Sequence, residues 1–266
     1  MLIWSQGSLS LISKLLHRLP SLVRVKHGHF DLDRSEGHAV LTLLNAKPPP
    51  ADYEAFVSLL TDLPFKLHTV VMWAHDEGTL PVLLGSHWEH IRVLEPKCKL
   101  ATNVGIYRGL LSNTTNATEL TFAPAAPGQV NAASPHVDDL LEYGKGLKTL
   151  HIGGIGKITI FEDQLSRIIG GLNNLSSVSI QVSGDCTLDT MVRVLASTHK
   201  VWEKIEWGFI DPAQLAQSMN RHGLLVKQFV YFERTTAITV TVGYGKIPLR
   251  VAALEKMVAD SAAERV

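Results

Sequence analysis

The sequence carries no excess of charge of either sign. Its 25 Lys and Arg residues balance 25 Asp and Glu residues, so the formal net charge is zero over 266 residues. Proteins that bind polyanions or anionic membrane surfaces concentrate positive charge. The balance therefore argues against nucleic acid and membranes as partners.

Cysteine is scarce as well. Cys98 and Cys186 are the only two cysteines, and neither belongs to a CxxC pair or lies beside a histidine cluster. This excludes a disulfide framework and a zinc site of the usual spacing. The sequence also has no apolar run long enough to span a bilayer. We expect no metal and no cofactor.

The first 30 residues contain no acidic side chain. A basic, acid-free start is typical of a mitochondrial presequence, which makes mitochondria the alternative location. The apolar residues Leu9, Ile12, Leu15, Leu16 and Leu19 recur at helical spacing and favour a helix that covers the end of a core. On that interpretation the protein is cytoplasmic or nuclear.

An apolar triplet with the spacing LxxLxL recurs along the chain. The units are LHTVVM, WEHIRV, ATELTF, LKTLHI, LSSVSI, WEKIEW and VKQFVY, with middle residues Val70, Ile91, Leu120, Leu150, Val178, Ile205 and Phe229. The successive intervals of 21, 29, 30, 28, 27 and 24 residues lie close to the range of leucine-rich repeats. Earlier units are HAVLTL around Leu41 and a weaker PSLVRV around Val23.

The segments between the triplets have helical periodicity and helix-end signals. Asp211 and Pro212 begin one such segment and Gly223 ends it. Strand, turn and helix thus alternate. The pattern predicts an α/β fold, a right-handed leucine-rich-repeat-like solenoid (horseshoe) with parallel strands on the concave face and helices on the convex face.

We predict a single repeat domain over residues 1–266. Residues 1–30 would form the N-terminal capping helix and first strand, residues 31–224 the repeats, and residues 225–266 a C-terminal hairpin and a capping helix that starts after Pro248.

Segments such as GLLSNTTNATELTF and YGKGLKTLHIGGI resemble the repeat regions of fungal F-box/leucine-rich-repeat proteins. The resemblance covers roughly residues 20–235 and implies an adaptor that recognises a substrate protein. Two features depart from the family: an F-box is not evident before the first repeat, and the usual asparagine after LxxLxL is replaced, by Ile155 in the unit from Leu147.

The segment LHIGGIGKITIF suggests an alternative, a degenerate nucleotide-binding, P-loop-like protein around Gly153–Lys157. A phosphate loop requires G-x-x-x-x-G-K-[ST]. Gly156 and Lys157 match, but His151 replaces the first glycine and Ile158 replaces the hydroxyl that binds magnesium. The repeat pattern also accounts for these residues, as a strand followed by a turn.

The segment HGHFDLD could in principle place His27, His29, Asp31 and Asp33 on one face of a strand. Four such side chains could ligate a metal, but an exposed polar edge strand is the simpler interpretation. The sequence has no HExxH or GxSxG motif. We therefore assign no catalytic residue and expect no enzyme.

Repeat proteins usually bind partners on the concave face. The residues that alternate with the buried triplet members are predicted to lie there: His90, Arg92, Glu119, Thr121, Thr149, His151, Ser177, Ser179, Lys204 and Glu206. Their mixed charges favour a protein or peptide partner. The sequence thus predicts a non-catalytic protein-interaction module, either a substrate-recognition adaptor or a subunit of a larger complex.

Overall fold

The computed structural model describes residues 2–3, 8–44, 50–72, 85–96, 104–122, 135–153, 160–181, 186–209, 211–233 and 236–241. The strands are β1 Leu2–Ile3, β2 Arg24–Lys26, β3 Phe30–Asp33, β4 Val40–Leu43, β5 Thr69–Met72, β6 Val93–Pro96, β7 Glu119–Phe122, β8 Thr149–Gly153, β9 Ser177–Gln181, β10 Val201–Phe209, β11 Leu225–Glu233 and β12 Thr236–Thr241. The α-helices are α1 Leu9–Arg18, α2 Pro50–Thr61, α3 Val104–Asn113, α4 Pro135–Tyr143, α5 Glu162–Gly171, α6 Leu188–Ala196 and α7 Pro212–His222, and Gly85–His90 form a 3₁₀ helix.

The protein has an α/β fold with one mostly parallel sheet, which confirms the predicted class. The described strands form a 12-stranded sheet in sequence order, with β1 at one edge and β12 at the other. Strands β4 to β11 are parallel throughout, and helical segments connect them. The antiparallel pairs are β2–β3, β3–β4 and β11–β12. Each parallel connection therefore crosses over through the helical layer, as parallel pairing requires.

One row of buried residues runs across the sheet from strand to strand. Its members are Leu41, Val70, Leu94, Leu120, Leu150, Val178, Ile205 and Phe229, all at most 2% exposed. Each pairs in register with the next. The intervals between them are 29, 24, 26, 30, 28, 27 and 24 residues. The hydrophobic spacing of the sequence thus marks the strands of one continuous core.

One predicted unit was placed three residues too early in the sequence. The sequence pattern takes Trp88, Ile91 and Val93 as a strand triplet, whereas the structure has Leu94 in the row and Trp88 in the 3₁₀ helix. Trp88 and Ile91 are both buried, so two overlapping triplets fit the hydrophobic pattern equally well. In the weaker first unit the buried strand residue is Val25, while Val23 is 44% exposed.

Backbone hydrogen bonds repeat from unit to unit at the amino-terminal edge of the sheet. The carbonyl of the residue just before a strand accepts two consecutive N–H groups from the next unit. His68 O thus accepts from the amides of Arg92 (2.9 Å) and Val93 (3.2 Å), and Thr118 O from those of Lys148 (2.8 Å) and Thr149 (3.0 Å). Ala39, Arg92 and Lys148 do the same. This series of bonds joins the units without an asparagine ladder.

The turns from helix to strand also repeat. After α3, α4 and α5 the amide of the first turn residue donates to a helical carbonyl, and the amide three residues later donates to the carbonyl of that first turn residue. The pairs are Thr114 and Ala117, Gly144 and Leu147, and Leu172 and Leu175. Two asparagines of these turns reach the preceding unit: Asn116 Nδ2 donates to Glu89 O (3.1 Å) and Asn174 Nδ2 to Lys145 O (2.8 Å). Side-chain amides therefore add a second link between neighbouring units.

Helix α1 contacts α2, and each helix from α3 to α7 contacts the next one along the chain. A single hydrophobic cluster joins the helices to the buried strand residues. Leu165, Ile168 and Ile169 of α5 contribute one helical stripe, as the 3.6-residue period requires. Gly223 follows α7 with φ of 68°, a left-handed conformation that favours glycine at this position. The described helices therefore cover one face of the sheet and leave the strand residues of the opposite face without a helical layer.

Helix α1 lies between β1 and β2, which are parallel to each other. It buries Leu9, Ile12 and Leu16 and contacts α2, while Leu19 is 47% exposed. The expected helix after Pro248 lies outside the described residues. None of the described helices combines the length and the apolar character that a bilayer crossing requires.

Candidate binding surface

Eight of the predicted site residues lie together on the sheet face opposite the described helices. They occupy four consecutive strands, β7 to β10, in two rows that run across the sheet. The first row is Glu119, Thr149, Ser177 and Lys204, and the second is Thr121, His151, Ser179 and Glu206. We call these eight residues the polar face. Strand pairing spaces the members of each row by about 4.8 Å.

Glu119 and His151 form a side-chain contact between the first two strands of the polar face. His151 Nε2 lies 3.1 Å from Glu119 Oε1, and both side chains are about one-third exposed, at 36% and 35%. The hydrogen bond to His151 lowers the pKa of Glu119 below its ordinary value, against the opposing effect of partial burial. The positive charge of Lys204 contributes to the same lowering. Glu119 is therefore an ionised acceptor that neighbouring strands hold in place.

A salt bridge joins two residues of β10. Lys204 Nζ lies 3.0 Å from Glu206 Oε2, with 17% of the Glu206 side chain exposed. Ser179 on β9, in register with both His151 and Glu206, is only 3% exposed. The polar face is thus a compact set of opposite charges around small hydroxyl side chains.

His90 and Arg92 do not belong to these rows, which corrects their predicted placement on a strand. His90 ends the 3₁₀ helix, and Arg92 precedes β6 at the amino-terminal edge of the sheet. The corresponding strand positions are those of Val93, which pairs with Glu119, and Glu95, which pairs with Val71. Sequence reasoning missed both because the triplet of this unit was assigned three residues too early.

The glycine-lysine segment Gly153–Lys157 lies outside the described residues except for Gly153. Gly153 ends β8 with φ of 140°, residues 154–159 lie outside the described residues, and α5 begins at Glu162. A phosphate loop runs straight into a helix amino terminus, which attracts the anion. Here the first turn of α5 carries Glu162 and Asp163, whose negative charges oppose a phosphate. These features disfavour a nucleotide site at α5.

The HGHFDLD segment forms a turn and a strand instead of one continuous strand. His27 and His29 lie in the turn between β2 and β3, with ring centroids 5.3 Å apart. Asp31 pairs with Arg24 at 2.6 Å, and Asp33 with the same guanidinium at 3.3 Å. Strand β3 is flanked by β2 and β4, so it is not the exposed edge strand that the sequence suggested. No three metal-ligating side chains come together among the residues that the structure describes.

A second polar cluster lies on the helical side. The Asp189 Oδ1 atom of α6 accepts hydrogen bonds from Ser218 Oγ (2.6 Å) and Arg221 Nη1 (3.1 Å), and His222 Nε2 lies 3.1 Å away. A cavity of about 230 Å³ adjoins these residues between α6 and α7. Because Asp189 is occupied by three groups of α7, this cluster joins the two helices.

No protein-family model matches the chain, and a search of curated proteins finds no matching relative. The functional inference therefore depends on the geometry of the surface.

Proposed function

We propose that the chain is a leucine-rich-repeat solenoid whose polar face binds a protein partner. In this proposal the polar face is the concave surface, and the protein is a non-catalytic adaptor for substrate recognition or a subunit of a larger assembly. The supporting observation is the alignment of the eight residues in register over four adjacent strands, opposite the helical layer.

The chemistry of the polar face favours a peptide or protein surface as the ligand. Glu119 and Glu206 supply negative charge, Lys204 supplies positive charge, and the threonine and serine hydroxyls both donate and accept hydrogen bonds. A polyanion would need clustered lysine and arginine, and the polar face contains one lysine. Mixed charges with hydroxyls match the donors and acceptors of another polypeptide.

The first test is affinity capture of the tagged protein from its native extract. The test variant changes Glu119, His151 and Lys204 to alanine together. The control variant changes Glu162 and Arg193 to alanine, an ion pair of 2.7 Å on the helical side. We expect a stoichiometric partner with the wild type and the control, and its loss with the test variant. Survival of the same partner in the folded test variant would contradict the proposal.

Photo-crosslinking tests the location directly. A photoreactive amino acid replaces Thr149 on the polar face or, as the matched control, the exposed Ser166 on α5. The partner should crosslink from position 149 and not from position 166. Crosslinking from position 166 alone would show that the partner binds the helical side and would contradict the proposed location.

A further inference from the structure

A group of basic side chains lies beside the polar face, at the amino-terminal edge of the sheet. His38 comes shortly before β4, His68 directly before β5 and Arg92 directly before β6. At this edge the backbone carbonyls of Ala39 and His68 are occupied by amides of the following unit. The side chains are therefore the groups that can meet a ligand here. We call His38, His68 and Arg92 the basic edge.

The two histidines of the basic edge stack on each other. Their ring centroids are 4.5 Å apart, and the ring planes differ by 21°. His68 Nδ1 lies 3.0 Å from the hydroxyl oxygen of Thr69, which fixes the orientation of the ring. The hydrogen bonds that His68 makes with described side chains leave its Nε2 atom available.

Arg92 is anchored by one end of its guanidinium. Nη1 donates to the carbonyl of Glu89 at 2.9 Å and to that of Ile91 at 3.4 Å. Both contacts use the same nitrogen, so the remaining N–H donors of the fork have no hydrogen-bond partner among the described residues. A guanidinium held in this way presents its planar fork to an oxyanion.

No ion pair joins His38, His68 or Arg92 to a carboxylate of the described residues. Burial lowers the pKa of His68, and the positive charges of His38 and Arg92 lower it further. The carboxylate of Glu89, three residues before Arg92, lies 2.9 Å from His90 Nε2. An arginine without an ion-pair partner among the described residues can bind an anion from outside.

We propose that His38, His68 and Arg92 bind an oxyanion of the phosphate class. Arg92 is always positive, and its planar fork matches a pair of phosphate oxygens. The two imidazole rings add N–H groups that can donate to the remaining oxygens. The site is distinct from the polar face and does not depend on the function proposed for it.

The test is a titration with inorganic phosphate at constant pH, followed through the imidazole resonances in NMR spectra. Chloride keeps the ionic strength constant, and His38→Gln and His68→Gln variants assign the two signals. We expect saturable shifts of His38 and His68, while the exposed His17 and His199 stay unchanged. Arg92→Ala should weaken binding by about tenfold, the equivalent of one lost charge-assisted hydrogen bond.

Two further variants test specificity. Arg92→Lys keeps the charge without the planar fork and should bind with intermediate affinity. Arg193→Ala removes an arginine of α6 and should bind like the wild type. O-phosphoserine as a second probe shows whether the site accepts a phosphate attached to a larger molecule or only the free ion. Equal shifts of all histidines, no saturation, or unchanged affinity in a folded Arg92→Ala variant would overturn the proposal.

Discussion

His151 on β8 contacts Glu119 on β7 diagonally, because its direct neighbour in the strand register is Thr121. Diagonal pairs across a sheet remain within reach of long side chains. The contact fixes both side chains on the β7 side of the polar face. Its consequence for the ionisation of Glu119 is measurable.

His151→Ala should raise the pKa of the Glu119 carboxyl toward its ordinary value. The hydrogen bond to His151 is the largest cause of the lowered pKa, so its removal leaves the opposing effect of burial. Carboxyl carbon resonances followed through an acid titration give this pKa directly. Thr121→Ala is the control on the neighbouring position and should leave it unchanged. A lowered Glu119 pKa that persists in His151→Ala would assign the effect to other groups.

The same pair predicts how stability depends on pH. A carboxyl whose pKa is lowered by folding stabilises the folded state when ionised, and that contribution is lost as the pH falls through the folded pKa. Below the ordinary carboxyl pKa of 4.5 the wild type should therefore lose more stability than His151→Ala does. Urea unfolding at neutral and acidic pH compares the two proteins. Identical losses on acidification would contradict the prediction.

Leu150→Ala should destabilise the protein by about 2–5 kcal/mol, the usual cost of truncating a buried leucine. Leu150 is fully buried and pairs with Leu120 and Val178 on its two sides. Thr149→Ala, one residue earlier on the polar face, should change the free energy of unfolding by no more than about 0.5 kcal/mol. Chemical denaturation measures both. Similar values for the two variants would mean that the faces of β8 are assigned wrongly.

Gly144→Ala should destabilise the turn after α4 by about 1–3 kcal/mol, as overpacking does. A Cβ at Gly144 would lie 2.5 Å from the carbonyl oxygen of Leu140 and 2.9 Å from Leu147 Cδ1. Gly146 in the same turn is the matched control, because the atoms nearest to its added Cβ are 3.6 and 3.7 Å away. Thermal unfolding should show a lower Tm for the first variant alone. Equal Tm values would show that the turn relaxes at no cost.

Cys186 should react slowly with thiol reagents in the folded protein. Burial raises its pKa to about 11, and the negative charge of Glu162 adds to this, so little reactive thiolate exists at neutral pH. Labelling of a Cys98→Ser variant isolates this thiol. The rate should rise to that of an ordinary cysteine when the protein is unfolded in urea. Rapid labelling under native conditions would contradict the burial of Cys186.

The parallel strands could be predicted wherever only one apolar triplet fitted the sequence. Leu120, Leu150 and Val178 fit one triplet each, and the structure has them in one row. Around Trp88 the prediction was wrong because a buried 3₁₀ helix adjoins β6, and hydrophobic spacing does not separate such a helix from a strand. His90 and Arg92 were misplaced for the same reason.

The antiparallel strands near the start of the chain were harder to predict. The i, i+2 spacing of His27, His29, Asp31 and Asp33 fits one continuous strand, but the chain turns at His27 and His29, and period-two spacing does not mark a turn. The contact of His151 with Glu119 was also outside the reach of sequence reasoning. It joins residues 32 positions apart, and their approach depends on the register of two strands.

The units differ in length by up to six residues, from 24 to 30, yet every strand from β4 to β11 keeps its place in one row of register partners. All the variation is therefore accommodated in the connections between strands. A duplication or deletion of one whole unit would change the width of the sheet by a single step of about 4.8 Å and leave the chemistry of the remaining rows intact. Evolution can thus change the width of such a surface without changing the residues on its remaining strands.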